Sequence, residues 1–185
     1  MRNILVIFGG ESVEHDISVL TGLITLSAVE KGGDIAVPVY VSRTGEWFTG
    51  DKLKDVETFK DFSVKGLKKC CLMPKDNNLY HLKGKKLKSL CAISSVINCM
   101  HGGGGEDGSV AGFIKTIGIP FASPSHTASG ICMDKAMAKI FLKGIGVKRL
   151  PYVSVSSINE IDLAEKKDGL SYDNKTHNAW LINRN

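Results

Sequence analysis

The chain has 185 residues, 43% of them hydrophobic and 23% charged, with a formal net charge of +5. That balance excludes a disordered or fibrous chain, and the length holds one domain and part of a second. No apolar run approaches the roughly 18 residues of a membrane span, and the lysines at 65, 68, 69, 75, 83, 85, 86 and 88 lack the interleaved aromatics of a nucleic-acid platform, so they read as a solvated surface.

Taken in chain order, Met1-Arg2-Asn3 leads straight into the apolar run 4–8, too short for a signal core, so the chain is expected to be cytoplasmic. A continuous apolar run suits a parallel strand covered on both faces. Residues 14–30 follow with Ile17, Leu20, Ile24 and Ala28 at helical spacing, which predicts that these four face inward. Gly32-Gly33 ends the helix, and 35–41 is a second strand, completing a βαβ unit that turns at Gly9-Gly10. Residues 43–90 break the pattern: short segments separated by Thr44-Gly45, Gly50-Asp51, Asp76-Asn77 and Lys83-Gly84 read as inserted hairpins.

The α/β pattern then resumes. Residues 92–100 read as a strand and 109–117 as a helix with Val110, Phe113, Ile114 and Ile117 on one face, stopped by Gly118. Residues 119–121 begin a short strand, and Ser125 or Thr127 caps a short helix. Asp134 starts another, to about Gly144, with Met137, Ile140 and Phe141 inward, and 151–155 is an edge strand. The sum is an α/β fold with an open, mostly parallel, Rossmann-like sheet, whose ligands bind beyond the carboxyl ends of the strands. The five cysteines are odd in number and form no CxxC pair, so they read as reduced thiols, and no zinc or other metal site is expected.

Three segments carry candidate chemistry. At Gly9-Gly10-Glu11-Ser12-Val13-Glu14-His15-Asp16-Ile17-Ser18 the glycines allow a sharp turn into a helix start, whose free N–H groups and dipole form a polar end. Glu14 there suits an ammonium group; an ordinary acidic first turn explains it equally well. The segment 101–108, His-Gly-Gly-Gly-Gly-Glu-Asp-Gly, satisfies G-x-G-x-x-G weakly through Gly103, Gly105 and Gly108. It also resembles an esterase oxyanion loop, but the chain has no G-x-S-x-G elbow and no Walker loop. His101 is read either as a site residue or as a ring satisfied by nearby backbone. In Met133-Asp134-Lys135, a lysine at a helix start is disfavoured by the dipole unless a phosphate reverses the sign; solvated surface is the alternative.

Together, in this order, the segments 9–18, 101–108 and 133–135 resemble the D-alanine–D-alanine ligase family of the ATP-grasp superfamily, from residue 1 to about 155. Ala111 departs from the glutamine common there. The resemblance implies an ATP- and Mg2+-dependent enzyme, often homodimeric, that forms an acyl phosphate on one D-alanine for attack by the amine of a second, for peptidoglycan. It implies that Glu14 holds the first ammonium, that Ile17 and Ser18 line the same pocket with Ser18 orienting Glu14, that His101 positions substrate, and that Lys135 contacts ATP. It divides the chain into an N-terminal domain over 1–130, with the hairpin insertion at 43–90, and the start of an ATP-grasp domain over 131–167.

The family's later ATP lysine, serine loop, oxyanion arginine and metal carboxylates are not recognisable, so this chain alone is expected to be inactive and to bind no nucleotide or metal tightly. Residues 170–185 show no helix or strand period. Their codons, shifted by one base, can encode FPMIIKPTMLGSSIGI, which resembles the missing ATP-lysine strand and serine loop. The tail 168–185 is therefore read as translated out of frame and expected to be poorly ordered. The rival readings are a stand-alone α/β ligand-binding or regulatory module and a dinucleotide enzyme using Gly103–Gly108.

Overall fold

The computed structural model describes residues 1–148 and, beyond them, the strand residues 152–154, 171–173 and 180–182. The chain forms two compact units, Met1–Met133 and Asp134–Asn185.

The first unit opens with β1 (Asn3–Gly9), α1 (His15–Lys31) and β2 (Ile35–Val41). β1 and β2 pair in parallel from Asn3↔Ile35 to Gly9↔Val41, as a helical crossover requires. Then come β3 (Trp47–Thr49), β4 (Lys68–Met73), β5 (Asp76–Lys83) and β6 (Lys86–Ala92). The unit closes with β7 (Ser95–Asn98), α2 (Ser109–Ile117), β8 (Phe121–Ala122) and α3 (His126–Met133). One sheet takes the order β6-β5-β4-β3-β2-β1-β7-β8. It is mixed rather than mostly parallel. The strands β2, β1, β7 and β8 run parallel, whereas β2 to β6 alternate in direction; short turns join β2 to β3, β4 to β5 and β5 to β6, which permits only antiparallel neighbours, and the longer segment 50–67 joins β3 to β4. The expected strand 92–100 is likewise two pieces: Ala92 ends β6, and Ser95 begins β7 after a break at Ile93-Ser94.

The apolar run of β1 feeds both faces of the sheet because side chains alternate along a strand. Leu5 and Ile7 pack with Val39, Val41, Ile114 and Ile117 beneath α2, while Val6 and Phe8 pack with Tyr40, Val19 and Leu26 beneath α1. Cys70 is buried in the first cluster, and burial pushes its thiol up to about 12, so it is a small protonated apolar group. The lysines at 65, 68, 69, 75, 83, 85, 86 and 88 are exposed, as expected.

The inward face of α1 is not the expected one. Ile17, Leu20 and Ile24 are 57%, 49% and 71% exposed, and Ala28 is exposed too. The buried face is His15, Ser18, Val19, Gly22 and Leu26. Helix and sheet approach closely at Gly22, where a Cβ would lie 2.4 Å from Phe8 Cγ. Gly22→Val is therefore expected to lower stability by about 1–3 kcal/mol through overpacking. Thermal denaturation checks this; an unchanged Tm would mean that α1 can move away from Phe8. On α2, Ala111, Ile114 and Ile117 are buried as a stripe, but Phe113 is 43% exposed and meets Trp47 edge-on at 5.7 Å.

In the second unit α4 (Lys135–Gly144) starts where Asp134 predicts, its side chain accepting from the N–H groups of Ala136 and Met137. Met137, Ile140 and Phe141 are 49%, 57% and 54% exposed rather than inward. β9 (Tyr152–Ser154), β10 (Ser171–Asp173) and β11 (Trp180–Ile182) form an antiparallel sheet in the order β10-β11-β9, with β9 on an edge as expected. Two strands thus lie in the tail that lacked a strand period; the rest of 168–185 lies outside the described residues.

Candidate functional site

Two loops leave the carboxyl ends of the adjacent strands β1 and β7, and helix α1 ties them together. Ser18 supplies the knot. Gly9 N–H donates to Ser18 Oγ at 2.7 Å, and the Ser18 hydroxyl donates to Cys99 O at 2.8 Å. Ser18 is fully buried, and both bonds are structural. Its hydroxyl is bonded at the ends of the two strands, and the structure gives it no bond to the Glu14 carboxylate.

His15, buried beside it, fastens the first loop. Its Nδ1 lies 2.5 Å from Gly10 O, and a carbonyl can only accept, so Nδ1 carries the proton. Its Nε2 then accepts from Tyr40 OH at 3.1 Å, and burial raises the Tyr40 phenol, which keeps it a donor. Gly9 and Gly10 take φ of +92° and +102°, conformations that side-chain-bearing residues rarely adopt.

Glu14 caps the start of α1 with its carboxylate exposed, and its N–H donates to Ser12 Oγ at 3.0 Å. The second loop meets it directly. A Cβ on Gly102 would lie 2.4 Å from Ser12 Oγ and 2.9 Å from Glu14 Oε2. Next to Gly102, the His101 Nε2 lies 2.9 Å from Thr21 Oγ1, one turn along α1 from Ile17. Its Nδ1 lies 3.5 Å from Glu106 Oε1. Asn98 braces the second loop, donating to Gly105 O at 2.7 Å and accepting from Met100 N–H at 3.1 Å.

Glu14 and the segment His101-Gly102 are therefore brought together from positions far apart in sequence. Ile17 lies on α1 between Glu14 and Thr21 and is exposed. Lys135 is the first residue of α4 in the second unit. Thr21, Glu106, Tyr40 and Asn98 were not singled out from sequence. Thr21 is half-buried on α1, and no sequence signal pairs position 21 with position 101.

Chemically, the cluster sets a carboxylate beside an imidazole, the complement of a small zwitterion with one ammonium and one carboxylate. Two neighbouring cavities do not compete for that role. One of about 710 Å³ is floored by Tyr40, Phe48, Phe59 and Phe62, and one of about 380 Å³ is walled by Trp47, Met100 and Phe113. Neither is lined by Glu14 or His101. No helix among the described residues is long and apolar enough to cross a membrane.

No group of three His, Cys, Asp or Glu among the described residues could hold a metal ion. At the start of α4 the N–H groups of Ala136 and Met137 are taken by Asp134 at 2.9 and 3.0 Å, so they do not face a phosphate.

A family sequence model described as the D-ala D-ala ligase N-terminus matches residues 3–124. The D-alanine–D-alanine ligase of Thermosipho melanesiensis is 36% identical over 174 residues, which cover 93% of this chain and 48% of that protein. That of Enterococcus gallinarum is 31% identical over 155 residues, 82% of this chain and 45% of that protein. The crystal structure of the Helicobacter pylori D-alanine–D-alanine ligase superposes with a TM-score of 0.76 at 25% identity, over 94% of this chain and 53% of that one. This chain thus spans about half the length of the relatives it matches.

Proposed function

Because the chain belongs to the D-alanine–D-alanine ligase family, matched over its N-terminal region, we propose that it supplies the first D-alanine pocket of an ATP-dependent ligase making D-alanyl-D-alanine for peptidoglycan in the cytoplasm. The observation that carries this reading is the meeting of Glu14 with Gly102 at the carboxyl edge of the sheet, beside His101. In it, Glu14 holds the ammonium of the first D-alanine, a protonated His101 nitrogen faces its carboxylate, and the exposed Ile17 side chain flanks the methyl group. Ser18 and His15 act behind them, fixing the loops. Residues 1–133 are the N-terminal domain, and the ATP-grasp domain begins at Asp134.

In this reading Lys135 takes the nucleotide phosphate with its side chain rather than with the helix end, whose amides Asp134 already occupies. When bound, ATP and Mg2+ would supply the phosphoryl transfer that activates the carboxylate, and Lys135 is the nucleotide-contacting residue this chain would contribute. On its own, the chain is expected to form no dipeptide.

A chimera tests the function. Residues 1–133 of this chain, joined to the remainder of the Thermosipho melanesiensis ligase, are expected to release phosphate and form D-alanyl-D-alanine. A folded chimera that makes none, while the parent relative does, would contradict the reading. Binding of NAD by the chain, without D-alanine binding, would favour a dinucleotide enzyme instead.

A further inference from the structure

We infer that Thr21 is the positioning residue for His101, a two-way hydroxyl that lets the imidazole gain or lose a proton without losing its anchor. The inference rests on the reading of His101 as the group that faces a substrate carboxylate, and goes beyond it by naming what controls that group.

The geometry is a three-way junction. Thr21 Oγ1 lies 2.9 Å from His101 Nε2 and 3.0 Å from the carbonyl of Ile17, one turn back in α1. A hydroxyl has one hydrogen and two lone pairs. When Nε2 carries a lone pair, Thr21 donates to it. When Nε2 carries a proton, Thr21 accepts from it and turns its own hydrogen to Ile17 O. Either state keeps the ring bonded, and the exchange is a rotation about one C–O bond with no net proton on Thr21.

The other nitrogen is treated differently. Nδ1 faces Glu106 Oε1 at 3.5 Å, inside ion-pair range but outside a good hydrogen bond. The carboxylate favours a proton on Nδ1, so the neutral ring is the Nδ1–H form with Thr21 donating to Nε2. The charged groups next to this junction are Glu106 on the same loop and Glu14 on the facing one, beside Gly102. Nδ1–H is then the mobile contact: a ligand carboxylate can take the place of Glu106 while Thr21 holds the far side of the ring.

Thr21 itself is held from behind. Thr25 Oγ1 donates to Thr21 O at 2.8 Å, and Cys99 Sγ donates to Thr25 Oγ1 at 3.2 Å. The His101 anchor is thereby tied to the end of β7, the strand from which the His101 loop departs.

The test reads the ring nitrogens of His101 by 15N NMR at a pH where the imidazole is neutral, in the wild-type chain, in Thr21→Ser and in Thr21→Val. His101→Gln assigns the signals. Wild type and Thr21→Ser are expected to show the Nδ1–H form. Thr21→Val removes the bond from either neutral form, so it is expected to leave their ratio to Glu106 and to loosen the ring instead, with the His101 ring signals broadened or averaged as they are not in Thr21→Ser. A ring unchanged in Thr21→Val, or as altered in Thr21→Ser as in Thr21→Val, overturns the inference. If Thr21→Val does not fold, Thr21→Ala read against Thr21→Ser decides by the same signals. The readout involves no D-alanine, so it can fail while the ligase reading stands, and it can succeed while that reading fails.

Discussion

Replacing Gly9 by alanine is expected to cost about 3 kcal/mol or more. Two effects add. Gly9 sits at φ +92°, where a side chain is strained, and a Cβ there would lie 2.2 Å from Val41 O and 3.0 Å from Tyr40 Cε2. The nearest obstacle is backbone of the paired strand β2, which cannot step aside as a side-chain tip can. The clash also pushes on the bonds that seat the loop, Gly9 N–H to Ser18 Oγ and Gly10 N–H to Val41 O. Thermal unfolding should show Tm lower by roughly 6–12 °C for a chain of this size. A Tm within about 2 °C of the parent would mean that the β1 turn is looser than its contacts imply.

The same positions show what a sequence discloses. The βαβ unit, its glycine turn and the caps at Ser125 and Asp134 were legible because each depends on a local rule of run length, turn chemistry or capping. The face of α1 was not. Apolar residues occupy both sides of that helix, and the side that wins carries Ser18, Gly22 and His15, which give close approach and loop hydrogen bonds rather than hydrophobic area. The sheet was misjudged as mostly parallel because the hairpins read as an insertion, yet they extend the same sheet through β3. On α4 the apolar face was read correctly as a pattern, but packing depends on partners, which periodicity does not supply.

For the site, Glu14 and His101 could be named from their motifs, but the groups that hold them could not. The role of Ser18 came from the resemblance alone; that it is fully buried and bonds both Gly9 N–H and Cys99 O depends on contacts of the folded chain. Thr21 and Glu106 matter only through contacts of the folded chain: Thr21 lies 80 residues from His101, and Glu106 meets it across a loop whose path glycines set.

The second large effect is expected at Glu14. Glu14→Gln keeps size and shape but removes the charge that faces the ammonium of the first D-alanine. A hydrogen bond to a charged group is worth about 1.5–3 kcal/mol, so D-alanine binding should weaken by roughly 10- to 150-fold. The fold should be unaffected, because the structure gives the exposed Glu14 side chain no cap bond to α1, and its backbone bonds to Ser12 and Ser18 survive the change. In the chimera, the concentration of D-alanine needed for half-maximal rate at the first site should rise by a similar factor.

Titration of the chain with D-alanine, followed by amide NMR in wild type and Glu14→Gln, measures the claim at its source. The account predicts saturable shifts at Glu14, Thr21, His101 and Gly102, on the order of millimolar in affinity for a pocket with one ion pair, and their loss in Glu14→Gln. Shifts that centre elsewhere, or that persist unchanged in Glu14→Gln, would contradict it.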